Sequence, residues 1–299
     1  MADQTSGNRL REAMASRCIS IPGAFNGLVA RAVAEAGFEA AYVSGGATSA
    51  AAGVPDIGLL SLDRFCQMVR EVVDGSGLPV LADADTGFGE EEMVRRTVIE
   101  YARAGAAGLH LEDQVFPKRC GHLDGKELVA QEHFTGKIAW AAEAAREVGG
   151  GFVLCARTDA AGVEGMDAAI ARATAYVQAG ADMIFPEGLR SEGDFGRFAE
   201  AMRKLDGPDP RGGPYLLANM TEFGKTPMLA VSRFGELGYS CVIHPVSTLR
   251  TAMGAVAEML GQLRETGSVE GSLDGMQTRA ELYGLLGYDA MTPWKAPVR

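Results

Sequence analysis

Cysteine is scarce and never paired in this sequence. The five residues stand singly at 18, 66, 120, 155 and 241 with no CxxC, which argues against a disulfide framework or a zinc ribbon and suits a reducing cytoplasmic setting. No stretch reaches the roughly 18 uninterrupted apolar residues expected of a membrane helix. The first twenty residues, MADQTSGNRLREAMASRCIS, lack the apolar core of a secretory signal. Runs of lysine and arginine are missing too, and the formal charge is −11, so neither nucleic acid nor an anionic membrane is expected as a partner. The nearest glycine-rich stretch, VSGGATSAAAGV, does not follow the GxGxxG of a dinucleotide fold.

What the 299 residues do contain is a repeat. Short apolar runs recur at 18–24, 40–46, 78–87, 107–113, 152–160, 181–188, 215–222 and 240–247, and helical periodicity fills the gaps between them. In 90–105, for example, Val94, Val98 and Tyr101 keep helical spacing while acids crowd the first turn. AEAGFEAAYVSGG, ARAGAAGLHLED and VQAGADMIFPEG each leave a helix through Ala-Gly and enter a strand. Eight such units predict a (β/α)8 TIM barrel in one domain over 1–299. A C-terminal helical extension follows at about 248–299, with helices near 248–265 and 275–286.

Alternate strand residues share a face, and the polar residues inside the runs fall near C-terminal ends, which converge on one barrel mouth. Asp83 and Asp85 of DADTGFG are read as lying on one strand face. They suit Mg²⁺ or Mn²⁺ through oxygen ligands, or alternatively a helix cap or an ion pair. Asp56 and Glu112 supply further acids. His110, alone in an apolar strand, reads better as a hydrogen-bonded core residue than as a ligand. Ser44, Gly45 and Gly46 of YVSGGA form either an anion-binding concavity or a plain tight turn. Arg157 can grip a carboxylate bidentately, with Lys118 and Arg250 adding positive charge. PKRCGHLDG places Cys120 among Lys118, Arg119 and His122, cations that favour a thiolate, in a long connection at about 113–133 read as a lid. The stretch DGPDPRGGP (206–214) reads as a surface loop.

Together, YVSGG, PDIGLLSLD, LADADTGFG, AGLHLEDQ, KRCGH, ARTDA, FPEG, ANMTEFGKTP, HPVSTLR and MQTRAELY resemble, in order, the segments of the isocitrate lyase and phosphoenolpyruvate mutase superfamily. The likeness is strongest to its short 2-methylisocitrate lyases. The resemblance implies Mg²⁺-dependent cleavage of a small tricarboxylate, 2-methylisocitrate, into pyruvate and succinate in propionate catabolism. It assigns Asp83 and Asp85 to the metal, with Asp56 and Glu112 acting through water. Ser44, Gly45, Gly46 and Arg157 would hold the hydroxy-acid end, and Gly121 and His122 would join Lys118 at the substrate. Glu187, Asn219, Thr221, Arg250 and Arg279 would orient the succinyl end. Cys120 would protonate the departing succinate carbon. The base for the 2-hydroxyl stays open among Tyr42, Arg157 and water on the metal. The resemblance also implies a homotetramer whose C-terminal helices are swapped between subunits. Related activities on isocitrate, 2,3-dimethylmalate, oxaloacetate or phosphonates, and an inactive dicarboxylate-binding barrel, are the alternatives. His244 stands where methylisocitrate lyases commonly carry tyrosine.

Overall fold

A computed structural model describes residues 5–119, 121, 125–224 and 226–295. Cys120 and His122 therefore lie outside the described residues. Helix α1 (Ser6–Ser16) precedes β1 (Ile19–Pro22), and α2 (Gly27–Glu35) leads to β2 (Ala41–Val43). The chain continues through α3 (Gly45–Ala51), α4 (Leu62–Ser76), β3 (Val80–Asp83), α5 (Glu91–Arg103) and β4 (Gly108–Glu112). It then runs through α6 (Gln131–Val148), β5 (Val153–Thr158), α7 (Ala160–Val163), α8 (Met166–Gln178) and β6 (Met183–Pro186). Next come α9 (Glu192–Met202), β7 (Tyr215–Asn219), α10 (Val231–Leu237) and β8 (Cys241–His244). Beyond them are α11 (Ser247–Thr266), a 3₁₀ turn and α12 (Arg279–Leu286).

Each predicted run contains one strand, and all the neighbours pair in parallel, in the order β1-β8-β7-β6-β5-β4-β3-β2. A single bridge between Gly23 and Tyr42 joins β1 to β2 and completes the (β/α)8 barrel. The Ala-Gly exits behave as expected. Gly37, Gly105 and Gly180 follow α2, α5 and α8 with φ of 81°, 95° and 109°, a region where a side chain would be strained.

Strand parity divides the core in two. Val43, Ala82, Leu109, Leu154, Ile184 and Val242 point outward to the helices. Ile21, Leu81, Cys155, Met183, Phe185 and Leu217 fill the barrel. The bottom of that inner core is closed by α1, which inserts Leu10 and Met14, both wholly buried.

The 206–214 segment is at most of its positions the surface loop that its composition suggests, with Asp209, Gly213 and Pro214 turned inward. Asp209 is buried; it accepts hydrogen bonds from Ser240 Oγ (2.7 Å) and from the Arg211 guanidinium (2.7 Å), which also donates to the Met14 carbonyl (3.0 Å). The segment thus ties α1 to the barrel floor. An exposed polar loop turns Asp209 inward here because the open barrel end needs a plug, and the plug's last carbonyls need donors. Truncating the plug with Met14→Ala should lower unfolding free energy by about 2–5 kcal/mol, measurable by urea denaturation.

Candidate active site

Five inner strand faces end in a polar residue, so there the apolar layers give way to a charged mouth: Leu81 precedes Asp83, His110 precedes Glu112, Cys155 precedes Arg157, Phe185 precedes Glu187, and Leu217 precedes Asn219. Asp85 does not reach the mouth by strand parity, as the sequence suggests. β3 stops at Asp83, and Asp85 takes a left-handed φ of 45°, an uncommon conformation outside glycine. Its amide donates to Asp83 Oδ1 (3.0 Å).

Ser44 caps α3 by accepting from the Ala47 amide (3.2 Å). The Gly45 amide donates to Asp83 Oδ2 (3.0 Å). A Cβ on Gly45 would fall 2.6 Å from that same oxygen, and one on Gly46 would fall 3.4 Å from Asp56 Oδ2. Gly45 is therefore needed for the close approach of Asp83, which its amide already serves, whereas Gly46 has room for ordinary contact with Asp56.

Lys118 is buried, with its ammonium on Asp56 and 2.8 Å from Asp85 Oδ1. Burial pulls its pKa down, but Glu112, Asp85, Asp83 and Asp56 outweigh that and keep it protonated. Arg157 lies between three acids. It donates to Asp159 through Nε (2.9 Å) and Nη2 (3.2 Å), while Nη1 faces Glu112 (3.2 Å) and Glu187 (3.6 Å). Asn219 Nδ2 donates to Glu187 (3.1 Å), and Thr221 is buried just beyond. A Cβ on Gly121 would sit 2.5 Å from both Arg157 Nη2 and Glu187 Cγ, so the connection after β4 comes down directly onto this ion pair.

The mouth is rich in carboxylates. Asp56, Asp83, Asp85, Glu112, Asp159 and Glu187 gather around the cations Lys118, Lys126 and Arg157. Glu112 Oε1 is buried with no hydrogen-bond partner. Burial drives the Glu112 carboxyl well above its usual range despite Arg157, and burial together with Asp83 raises Asp85 to about 6. Another triplet, Glu90, Glu91 and His133, already brings potential metal-ligand atoms within 4.8 Å of one another. It is half open to solvent, with His133 Nε2 paired to Glu90 at 2.5 Å. The buried mouth, where acid outnumbers base, is the stronger candidate for a divalent cation.

His110 is the hydrogen-bonded core residue that the sequence favours, and its partner is Tyr42, whose hydroxyl lies 2.6 Å from Nε2. Burial lowers the His110 pKa to about 4, leaving a neutral ring at pH 7. With Asp83 Oδ1 3.7 Å from Nδ1, the favoured tautomer carries its proton there, and Nε2 accepts from Tyr42. The Tyr42 phenol is itself pushed well above its ordinary value by burial and by Asp83. In this pair the phenol is the donor and the imidazole the acceptor.

Two expected site residues stand apart. Arg250 is exposed on α11, bonded to the Glu222 carbonyl and stacked on Phe223 at 5.3 Å. Arg279 is exposed at the start of α12, whose main contact is with α2. Sequence reasoning missed Lys126, Asp113 and Tyr176, which brace Asp159 and Thr158 from behind. No periodicity marks them, because the contacts span up to 63 positions.

Fold and mouth together define a (β/α)8 barrel with an acidic, arginine-bearing site suited to a metal-chelated carboxylate. Comparison with known proteins narrows that class. The family model described as phosphoenolpyruvate phosphomutase matches residues 10–264, and the chain belongs to this family. It is 54% identical over 269 residues to a protein of Corynebacterium glutamicum named probable 2-methylisocitrate lyase 1, covering 90% of this chain and 85% of that one. Oxaloacetate acetylhydrolase in complex with 3,3-difluorooxalacetate superposes with a TM-score of 0.87 at 35% identity, covering 95% and 93% of the two chains. A phosphonopyruvate hydrolase complex with oxalate and Mg²⁺ gives 0.81 at 31% identity, covering 95% of each chain.

Removing the Tyr42 hydroxyl with Tyr42→Phe leaves a buried His110 nitrogen without its donor, which should cost about 1–3 kcal/mol. Chemical denaturation measures the loss.

Proposed function

We propose that the protein is a divalent-metal-dependent carbon–carbon lyase that cleaves 2-methylisocitrate to pyruvate and succinate. The observation that carries this reading is the buried mouth, where acids exceed bases and Glu112 Oε1 lacks a partner. It sits in a chain 54% identical to a relative named for that activity, against 35% for the acetylhydrolase.

Mg²⁺ fits this all-oxygen donor set, with Mn²⁺ as the alternative. Asp83 and Asp85 would hold it, and Asp56 and Glu112 would reach it through water. When bound, the ion acidifies the substrate hydroxyl and neutralises the adjacent carboxylate. Arg157, with Ser44, Gly45 and Gly46, holds the hydroxy-acid end, and the Tyr42 hydroxyl keeps its proton and donates. Glu187, Asn219 and Thr221 orient the succinyl end, and Arg250 and Arg279, outside the mouth of a single chain, join them only in the assembled protein. As the bond from the hydroxyl-bearing carbon to its neighbour breaks, the C–O bond becomes the ketone of pyruvate. The electron pair passes to the succinate fragment, which takes up one proton for the one the hydroxyl loses. Cys120 supplies that proton, and Lys118, Gly121 and His122 hold the substrate beside it. Of these three, the two described residues, Lys118 and Gly121, lie against Asp85 and against Arg157 and Glu187.

The reading includes a homotetramer with exchanged C-terminal helices, a cytoplasmic place in propionate catabolism, and a lid in the 113–133 connection. Support for assembly comes from α11, which buries none of its 20 residues and presents Met253, Val256, Leu260 and Leu263 to solvent at helical spacing.

With Mg²⁺, the protein should release pyruvate from 2-methylisocitrate with a higher kcat/KM than it releases glyoxylate from isocitrate. Equal or reversed values would sink the substrate assignment. Cys120→Ala should lower kcat by about 10²–10⁴-fold, and retained turnover would remove Cys120 as the acid. Since Asp85 takes up a proton below about pH 6, protons compete with the ion there. Mg²⁺ affinity measured by calorimetry should fall about tenfold between pH 7 and pH 5, and an affinity independent of pH would exclude Asp85 as a ligand.

A further inference from the structure

We propose that Lys126 is a positioning residue for Arg157: its ammonium fastens the Asp159 carboxylate and the Gly121 carbonyl together, and through them fixes where the guanidinium points. The inference rests on the carboxylate-binding reading of the mouth and adds to it a residue that touches neither metal nor substrate.

The Lys126 side chain is 6% exposed although its neighbours Gly125 and Glu127 face solvent. Its Nζ donates to Asp159 Oδ1 and to Gly121 O, each at 2.6 Å. Asp159 is fully buried, and its two oxygens also receive Arg157 Nε and Nη2. That fork leaves Nη1 as the nitrogen turned toward Glu112 and Glu187. The backbone of Asp159 is held separately, its amide donating to Asp113 Oδ1 (3.0 Å). Lys126 therefore acts on the carboxylate itself. From the other side, Gly121 packs on Arg157 Nη2 and Glu187 so closely that a Cβ has no room. Without the ammonium, Oδ1 keeps, among the described residues, the longer 3.2 Å bond from Nη2, and the Gly121 carbonyl loses its tie to Lys126. A buried carboxylate left with one cation rearranges or takes up a proton, and either change turns the arginine.

The test is a double-mutant cycle read by calorimetric binding of oxalate in saturating Mg²⁺, with 2-methylisocitrate turnover followed in parallel. Lys126→Met and Asp159→Asn should each weaken oxalate about tenfold, and the double variant should be no worse than the weaker single one, as expected for residues acting in series. Lys126→Arg, which keeps a cation with donors for both oxygens, should stay within about threefold of wild type. It is the arm to read against Asp159→Asn if the methionine variant fails to fold. Unchanged binding in Lys126→Met, losses that multiply in the double variant, or a Lys126→Arg as weak as Asp159→Asn would overturn the inference. Wild-type protein that binds oxalate but does not cleave 2-methylisocitrate would overturn the lyase reading alone. Wild-type protein that binds no oxalate would overturn both.

Discussion

Arg157 is a guanidinium buried at the top of an apolar barrel, and the rest of the mouth is organised by what that burial requires. Taking a charge out of water costs several kcal/mol, recovered only when its partners are held in good geometry. The register of three adjacent strands provides that geometry. Glu112 on β4 and Phe185 on β6 are the Cα partners of Arg157 on β5. The guanidinium stacks 5.2 Å from the Phe185 ring and meets Asp159 and Glu187 two residues further along the chain. The β-barrel supplies the rigidity, because each strand is pinned on both sides and cannot shift without moving its neighbours.

The same economy explains why the mouth sits on neutral rather than charged supports. Below Asp83 and Arg157 lie Tyr42, His110 and Phe185, an aromatic layer in which the only polar atoms are a phenol and an uncharged imidazole bonded to each other. A second cation there would compete for the carboxylates, and a second anion would add to an acidic excess that already raises Asp85 and Glu112. Carboxylates held so far from their ordinary titration range favour a multivalent cation, which satisfies several at once.

Much of this was legible in the chain. Each run of apolar residues became one strand, since a strand buried on both faces leaves a continuous apolar signature bounded by glycine exits. Parity also located Glu112, Arg157, Glu187 and Asn219 at one end of the barrel. It failed at Asp85, where the backbone turns left-handed and the side chain arrives by a turn and not by the strand. It was silent on Asp209, because the proline- and glycine-rich composition of 206–214 marks a surface loop without saying which of its residues turns inward. Arg250 and Arg279 carry the charge that the family pattern expects, yet in a single chain they lie outside the mouth.

The amino-acid order by itself determined the alternation of strand and helix, the apolar layers, and the set of polar residues delivered to the C-terminal ends, because those follow from local periodicity and from where glycine releases the chain. Which of those groups pair was decided only in three dimensions. Lys118 with Asp85, Arg157 with Asp159, Lys126 with Gly121, and Tyr42 with His110 all depend on distances that barrel closure sets. Charges are indifferent to sequence separation, and their energies depend on burial and on angstroms, which a linear pattern does not carry.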